Sequence, residues 1–132
     1  MRVRLFSVGA AIIAGLSLAA CGGGGNGSGP PAQQLTITAV DGIKYDKPEL
    51  DATANQPFVV NFVNNGGLQH SFVIKNAAGS DVAFVPGPDK TTYLDNGQSK
   101  KSAPITLAAG TYEFYCAFPG HEQTMKGNVV VK

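Results

Sequence analysis

The sequence predicts an all-β fold, a sandwich or barrel of Greek-key type with about seven or eight strands. Three observations carry that reading. Apolar residues recur with period two in short runs, as in Pro57–Asn64, where Phe58, Val60 and Phe62 share one face. Turn-forming clusters punctuate the runs: Asn64–Gly67, Ala77–Gly79, Pro86–Pro88, Asp95–Gly97 and Ala108–Gly110. No stretch has a convincing helical period, although a short helical turn fits within residues 80–97, and no internal repeat is visible.

The chain opens on a different pattern. Arg2 and Arg4 precede an uncharged apolar run from Leu5 to Ala19, which reads as a secretory signal peptide over residues 1–20. The run is too short for a comfortable membrane span. It ends in Leu18-Ala19-Ala20-Cys21, which resembles the lipobox of bacterial lipoproteins, where cleavage precedes a Cys that is then lipidated. The alternative is an ordinary signal with Cys21 left as a thiol or paired with Cys116. Residues 21–33 then form the lipidated Cys and a tether. Gly22–Ala32 is Gly-rich and ends in Pro30-Pro31, with a flexible reach of about 20 Å. The folded domain is expected over residues 34–132.

Within that domain the strands follow in order. Gln34–Val40 is rich in Thr, Ile and Val; Pro57–Asn64 follows. Gln69–Lys75 places His70, Phe72 and Ile74 on one face, and Ser71, Val73 and Lys75 on the other. Thr111–Cys116 groups Tyr112, Phe114 and Cys116 against Thr111, Glu113 and Tyr115; Gly127–Lys132 sets Val129 and Val131 together. Tyr112, just after Ala109-Gly110, reads as a tyrosine corner. Loss of Arg2 and Arg4 with the signal leaves eight Lys against nine acidic residues, a formal charge of −1. With no Arg and no basic patch, nucleic acid is excluded as a partner.

Soft metal ligands are scarce and concentrated. His occurs only at 70 and 121, Cys only at 21 and 116, and Met only at 1 and 125. With Met1 as initiator and Cys21 in the leader, His70, Cys116, His121 and Met125 remain. Two imidazoles, a thiolate and a weak axial thioether are the set of a mononuclear type 1 copper site. Zinc gains little from a thioether. His70 and Cys116 lie near the ends of two inward-facing strands, so neighbouring strands would bring both to one pole. The loop after Cys116 would then curl back with His121 and Met125. Alone, each residue has a bland reading as core packing. Together, as Cys-x4-His-x3-Met with Pro119-Gly120 before the His, they point to one copper.

Three neighbours are candidates for tuning that site. The backbone amides of Ser71 and Phe118 are placed to donate to the Cys116 sulfur, and the Gln69 carbonyl is placed as a distant fifth contact. Phe118, Pro119, Gly120 and Leu68 would form an apolar rim around His121 through which electrons pass.

Residues 110–132 (GTYEFYCAFPGHEQTMKGNVVVK) resemble the copper loop and last strand of the cupredoxin family. The Cys-x4-His-x3-Met spacing within Phe-Pro-Gly-His…Met-Lys-Gly is similar to azurins, and Gly-Thr-Tyr-x-Phe-Tyr-Cys is similar to plastocyanins. The lipoprotein start and tether resemble auracyanin-type proteins. The resemblance covers residues 34–132. It implies a plastocyanin-like domain with copper at one pole, His70, Cys116 and His121 as equatorial ligands, and Met125 as the axial one. Two positions depart: Gln69 stands where azurins have Gly, and Ser71 where many cupredoxins have Asn. The second change is expected to weaken a side-chain link between the ligand strands.

The implied function is one-electron transfer, Cu(II)/Cu(I), by a monomer lipid-anchored on the periplasmic side of the cell envelope. Implied partners are a membrane cytochrome complex, an oxidase or a reaction centre. An enzyme with a second, catalytic copper would need further His ligands, and the chain has none to spare. A copper carrier or buffer of the cell envelope is the alternative.

Overall fold

The computed structural model describes residues 29–132. The expected signal segment, Cys21 and most of the tether lie outside the described residues.

Nine strands form two mixed sheets packed face to face, one or two strands more than the sequence suggests. The first sheet holds β1 (Gln33–Val40), β2 (Lys44–Tyr45), β4 (Phe58–Asn64) and β7 (Ser99–Lys101), in the order β2-β1-β4-β7. The second holds β3 (Glu49–Ala52), β5 (Phe72–Lys75), β6 (Asp81–Val85), β8 (Gly110–Tyr115) and β9 (Lys126–Val131), in the order β3-β9-β8-β5-β6. The pairs β1–β4 and β3–β9 are parallel, and the remaining ladders are antiparallel. Of the elements without a sequence signal, β2 and β7 are too short and polar to show a period-two pattern. The helical turn allowed within residues 80–97 is absent: β6 occupies its first part, and no helix occurs among the described residues.

Alternation explains most of the burial. Ile37 and Ala39 of β1, Phe58, Val60 and Phe62 of β4, Phe72 and Ile74 of β5, Phe114 of β8, and Val129 and Val131 of β9 fill one core. Strand β5 and the residue before it depart from a simple in–out reading, since Val73 and Ser71 are buried as well. β5 is an inner strand of its sheet, flanked by β8 and β6. Its outer face is sheltered by Tyr115, whose hydroxyl donates to Asp81 at 2.9 Å. The tyrosine corner is present: the Tyr112 hydroxyl donates to the Ala108 carbonyl at 2.9 Å.

One aromatic cluster matters most for position. Tyr45 meets Phe62, Phe72 and Phe114 edge-on, with ring centroids 6.2, 6.0 and 5.3 Å away. Phe72 and Phe114 lie 5.0 Å apart. Phe72 follows His70 by two residues and Phe114 precedes Cys116 by two, so this cluster is a rigid floor under the end of the sandwich where both emerge. An apolar groove of about 810 Å³ lies elsewhere, lined by β6 and the Ser102–Leu107 segment, and includes none of the candidate ligands.

Candidate metal centre

Strands β5 and β8 are neighbours, paired Val73 to Tyr115 and Ile74 to Phe114. Extending that register past the strand ends sets Phe72 opposite Cys116 and Ser71 opposite Ala117. The amide of Ser71 donates to the Cys116 sulfur at 3.4 Å. From Cys116 the chain leaves the sheet and folds back through tight turns. Gly120 takes a left-handed φ of 84°, which Gly adopts without steric cost. His121 then donates its amide to Phe118 O at 3.0 Å, and Met125 donates to His121 O at 2.8 Å. The loop closes where the Cys116 amide donates to Met125 O at 3.0 Å. These bonds set the Cys–His–Met spacing: the loop is just long enough to turn and return to β9.

The outcome is a buried triangle of donors. Cys116 Sγ lies 3.8 Å from His70 Nδ1 and 3.7 Å from His121 Nδ1, and the two Nδ1 atoms are 3.2 Å apart. A point equidistant from the three corners lies about 2.1 Å from each, the length of a metal–imidazole bond and within ~0.2 Å of a metal–thiolate bond. All three residues are buried, as is Met125.

The electrostatics suit a metal. Burial lowers the pKa of both imidazoles, and His121 lowers that of His70 further, so both rings favour the neutral form that ligates. Burial pushes the Cys116 thiol up, while the amides of Ser71 and Phe118 and the Ser71 hydroxyl pull it back down. A cation in the triangle would remove the remaining bias and hold the thiolate.

The surroundings refine the expectations. The Ser71 hydroxyl accepts the Ala117 amide at 3.1 Å, so the link between the ligand strands exists in spite of the missing Asn. The Phe118 ring lies against His121, centroids 4.6 Å apart. Gln69 turns its side chain away to donate to Asp95 at 2.7 Å. Leu68 is half exposed beside it.

Several supporting residues carry no sequence signal of a role here. The Tyr45 hydroxyl donates to the Ser71 carbonyl at 2.6 Å. The backbone of Leu94 exchanges two hydrogen bonds with that of His70, at 3.1 and 2.8 Å. Buried Asn64 donates to the Leu68 and Leu94 carbonyls, both at 2.8 Å, and accepts the Gly66 amide at 2.9 Å. Only its place in an Asn-Asn-Gly-Gly turn hinted that Asn64 was structural.

Comparison with known proteins agrees with this geometry. Residues 32–132 match the copper binding proteins of the plastocyanin/azurin family. The chain belongs to that family. It is 32% identical to auracyanin-A of Chloroflexus aurantiacus, over 86% of this chain and 88% of that protein. It is 27% identical to an azurin of Pseudomonas chlororaphis, over 75% of this chain and 98% of the azurin. The fold superposes on the structure of auracyanin A, a "blue" copper protein, with a TM-score of 0.64 at 22% identity, covering 77% of this chain and all of the other. As a member of the plastocyanin/azurin family with a His–Cys–His triangle, the protein is a cupredoxin with one type 1 copper, and its class of function is electron transport.

Proposed function

We propose that this cupredoxin is a membrane-tethered one-electron carrier on the exported side of the cell envelope, with His70, Cys116 and His121 as equatorial copper ligands and Met125 as the axial one. The observation that carries the assignment is the buried triangle of Sγ and two Nδ1 atoms, with sides of 3.2 to 3.8 Å. When bound, copper supplies the Cu(II)/Cu(I) couple. The chain's own contribution is to hold the donors still. The aromatic floor, the Ser71 links and the closed loop resist movement between the geometries the two oxidation states prefer. The Ser71 and Phe118 amides favour the thiolate and tune the potential.

The protein turns over no substrate in this reading. A catalytic copper would need further His ligands, and the sequence holds only His70 and His121. Electrons pass through the His121 side, where Phe118, Pro119, Gly120 and Leu68 give a small apolar contact for transient partners. Those partners are a membrane cytochrome complex as donor and an oxidase or reaction centre as acceptor. The tether enters at Gln33, at the far end of β1 from Val40, about 23 Å along the strand. A lipid on Cys21 would therefore hold the end opposite the copper and leave the electron port facing outward.

Copper-loaded protein should show an intense band at ~600 nm, the mark of a thiolate–Cu(II) site, bleached by ascorbate. Cys116→Ser should abolish it, Met125→Gln should keep copper but lower the potential, and Cys21→Ala should release blue protein from membranes. A colourless Cu(II) complex would sink the ligand assignment, and a membrane-bound Cys21→Ala would sink the anchor.

A further inference from the structure

The metal centre is assembled from two stretches of chain, the His70 side and the Cys116–Met125 loop. Ser71 joins them from beneath. A second junction lies on the flank, at Tyr93 and Leu94. The Leu94 backbone is bridged to His70. The Tyr93 ring meets Phe118 edge-on, with centroids 5.1 Å apart and planes at 67°. Its hydroxyl lies 3.5 Å from the Ala117 carbonyl oxygen, a long contact. Phe118 in turn lies 4.6 Å from His121, tilted by 36°. Two consecutive residues thus touch both halves of the site.

We infer that Tyr93 is a positioning residue for the metal centre: it fixes Phe118 and, through that ring, the orientation of His121. The inference rests on the ligand assignment proposed above. Phe118 is only partly buried and sits on a loop braced by turns, so its ring needs a neighbour to hold one rotamer. Tyr93 supplies that neighbour from a different segment. A shift of Phe118 would therefore free the His121 ring to turn from its place beside Cys116, where Nδ1 lies 3.7 Å from the sulfur. Loss of that orientation shifts the balance between Cu(I) and Cu(II). Tyr93 is itself partly exposed and lies outside the main core cluster, so its truncation should cost the fold little.

The test compares copper-loaded full-length protein with Tyr93→Ala and Tyr93→Phe by spectroelectrochemical titration and Cu(II) electron paramagnetic resonance. Tyr93→Ala should stay blue, but its Cu(I)/Cu(II) ratio at a fixed poise should change by about fivefold. Its copper hyperfine pattern should change too. Tyr93→Phe should match wild type, because the ring contact survives and the hydroxyl contact is long. Wild-type potential and hyperfine pattern in Tyr93→Ala would overturn the proposal, and so would an equal shift in both variants. If Tyr93→Ala fails to fold, Tyr93→Leu is read by the same criteria. A colourless wild-type protein, by contrast, would strike at the ligand assignment itself.

Discussion

The two halves of the metal centre are held by different means. The Cys116–Met125 loop braces itself: its amides bond to carbonyls three, four or nine residues away, and it supplies two of the three clustered donors. The His70 half borrows its position from elsewhere. Leu94 bridges its backbone, Asn64 ties Leu68 to Leu94, Asp41 accepts the Gly67 amide at 3.0 Å, and Asn96 donates to the Gly66 carbonyl at 2.8 Å. A short loop closes at low entropic cost and needs few partners. A lone ligand on a separate strand is only as well placed as the contacts, 26 or 30 residues away, that hold its loop. Damage to the loop half should therefore come from its anchors, and damage to the His70 half from its distant supports.

The largest effect is expected where the loop re-enters the sheet. Gly127 pairs with Phe114 across β8 and β9. A methyl group there would lie 2.3 Å from the Pro48 carbonyl oxygen and 2.4 Å from the Phe114 ring, and neither backbone nor buried ring can retreat. Gly127→Ala should cost about 3 kcal/mol. Denaturant unfolding of the copper-free protein measures this, and a loss below about 1 kcal/mol would mean that β9 is loosely seated.

Asn64→Ala attacks the other half. It leaves the Leu68 and Leu94 carbonyls and the Gly66 amide without their side-chain partner. The expected loss is roughly 2 kcal/mol. Unlike Gly127→Ala, it should also hasten copper loss to a chelator more than the stability change alone requires, because the displaced segment carries His70. A chelation rate that merely tracks stability would show that Ser71 and the aromatic floor suffice to place His70.

The same contrast explains what could be read from sequence. The loop half was legible because its chemistry and its geometry are local: Cys116, His121 and Met125 are close in the chain, and Pro119-Gly120 marks the turn. The period-two runs gave the core strands, and with them the inward faces of His70 and Cys116. The supports of His70 were not legible. Nothing in the sequence pairs Leu94 with His70 or Tyr93 with Phe118, since such contacts depend on which sheet each segment joins. Strand β2 has two residues and β7 is Ser-Lys-Lys, so their place comes from neighbours rather than from side-chain pattern. Ser71 is the instructive case. The missing Asn suggested a weaker link, but the register brings a hydroxyl close enough to the Ala117 amide to do the same work.

The smallest effect is expected where the loop is tied to the sheet by charge. Lys75 lies 4.0 Å from the centre of the Tyr115 ring and pairs with Glu113 at 3.6 Å and with Glu122, the residue after His121. The Glu122 hydrogen bond, the strongest of several causes, raises the lysine's pKa, so the ammonium is present throughout the neutral range. Yet the Glu122 side chain is 49% exposed, and exposed pairs contribute about 0.5 kcal/mol. Lys75→Met should therefore leave the colour and potential unchanged. A double-mutant cycle with Glu122→Gln should give a coupling of about 0.5 kcal/mol that fades in about 1 M salt. A coupling above about 2 kcal/mol that survives salt would mean that the loop needs this clamp. In that case the copper loop would not be self-braced, and both halves of the site would depend on distant partners.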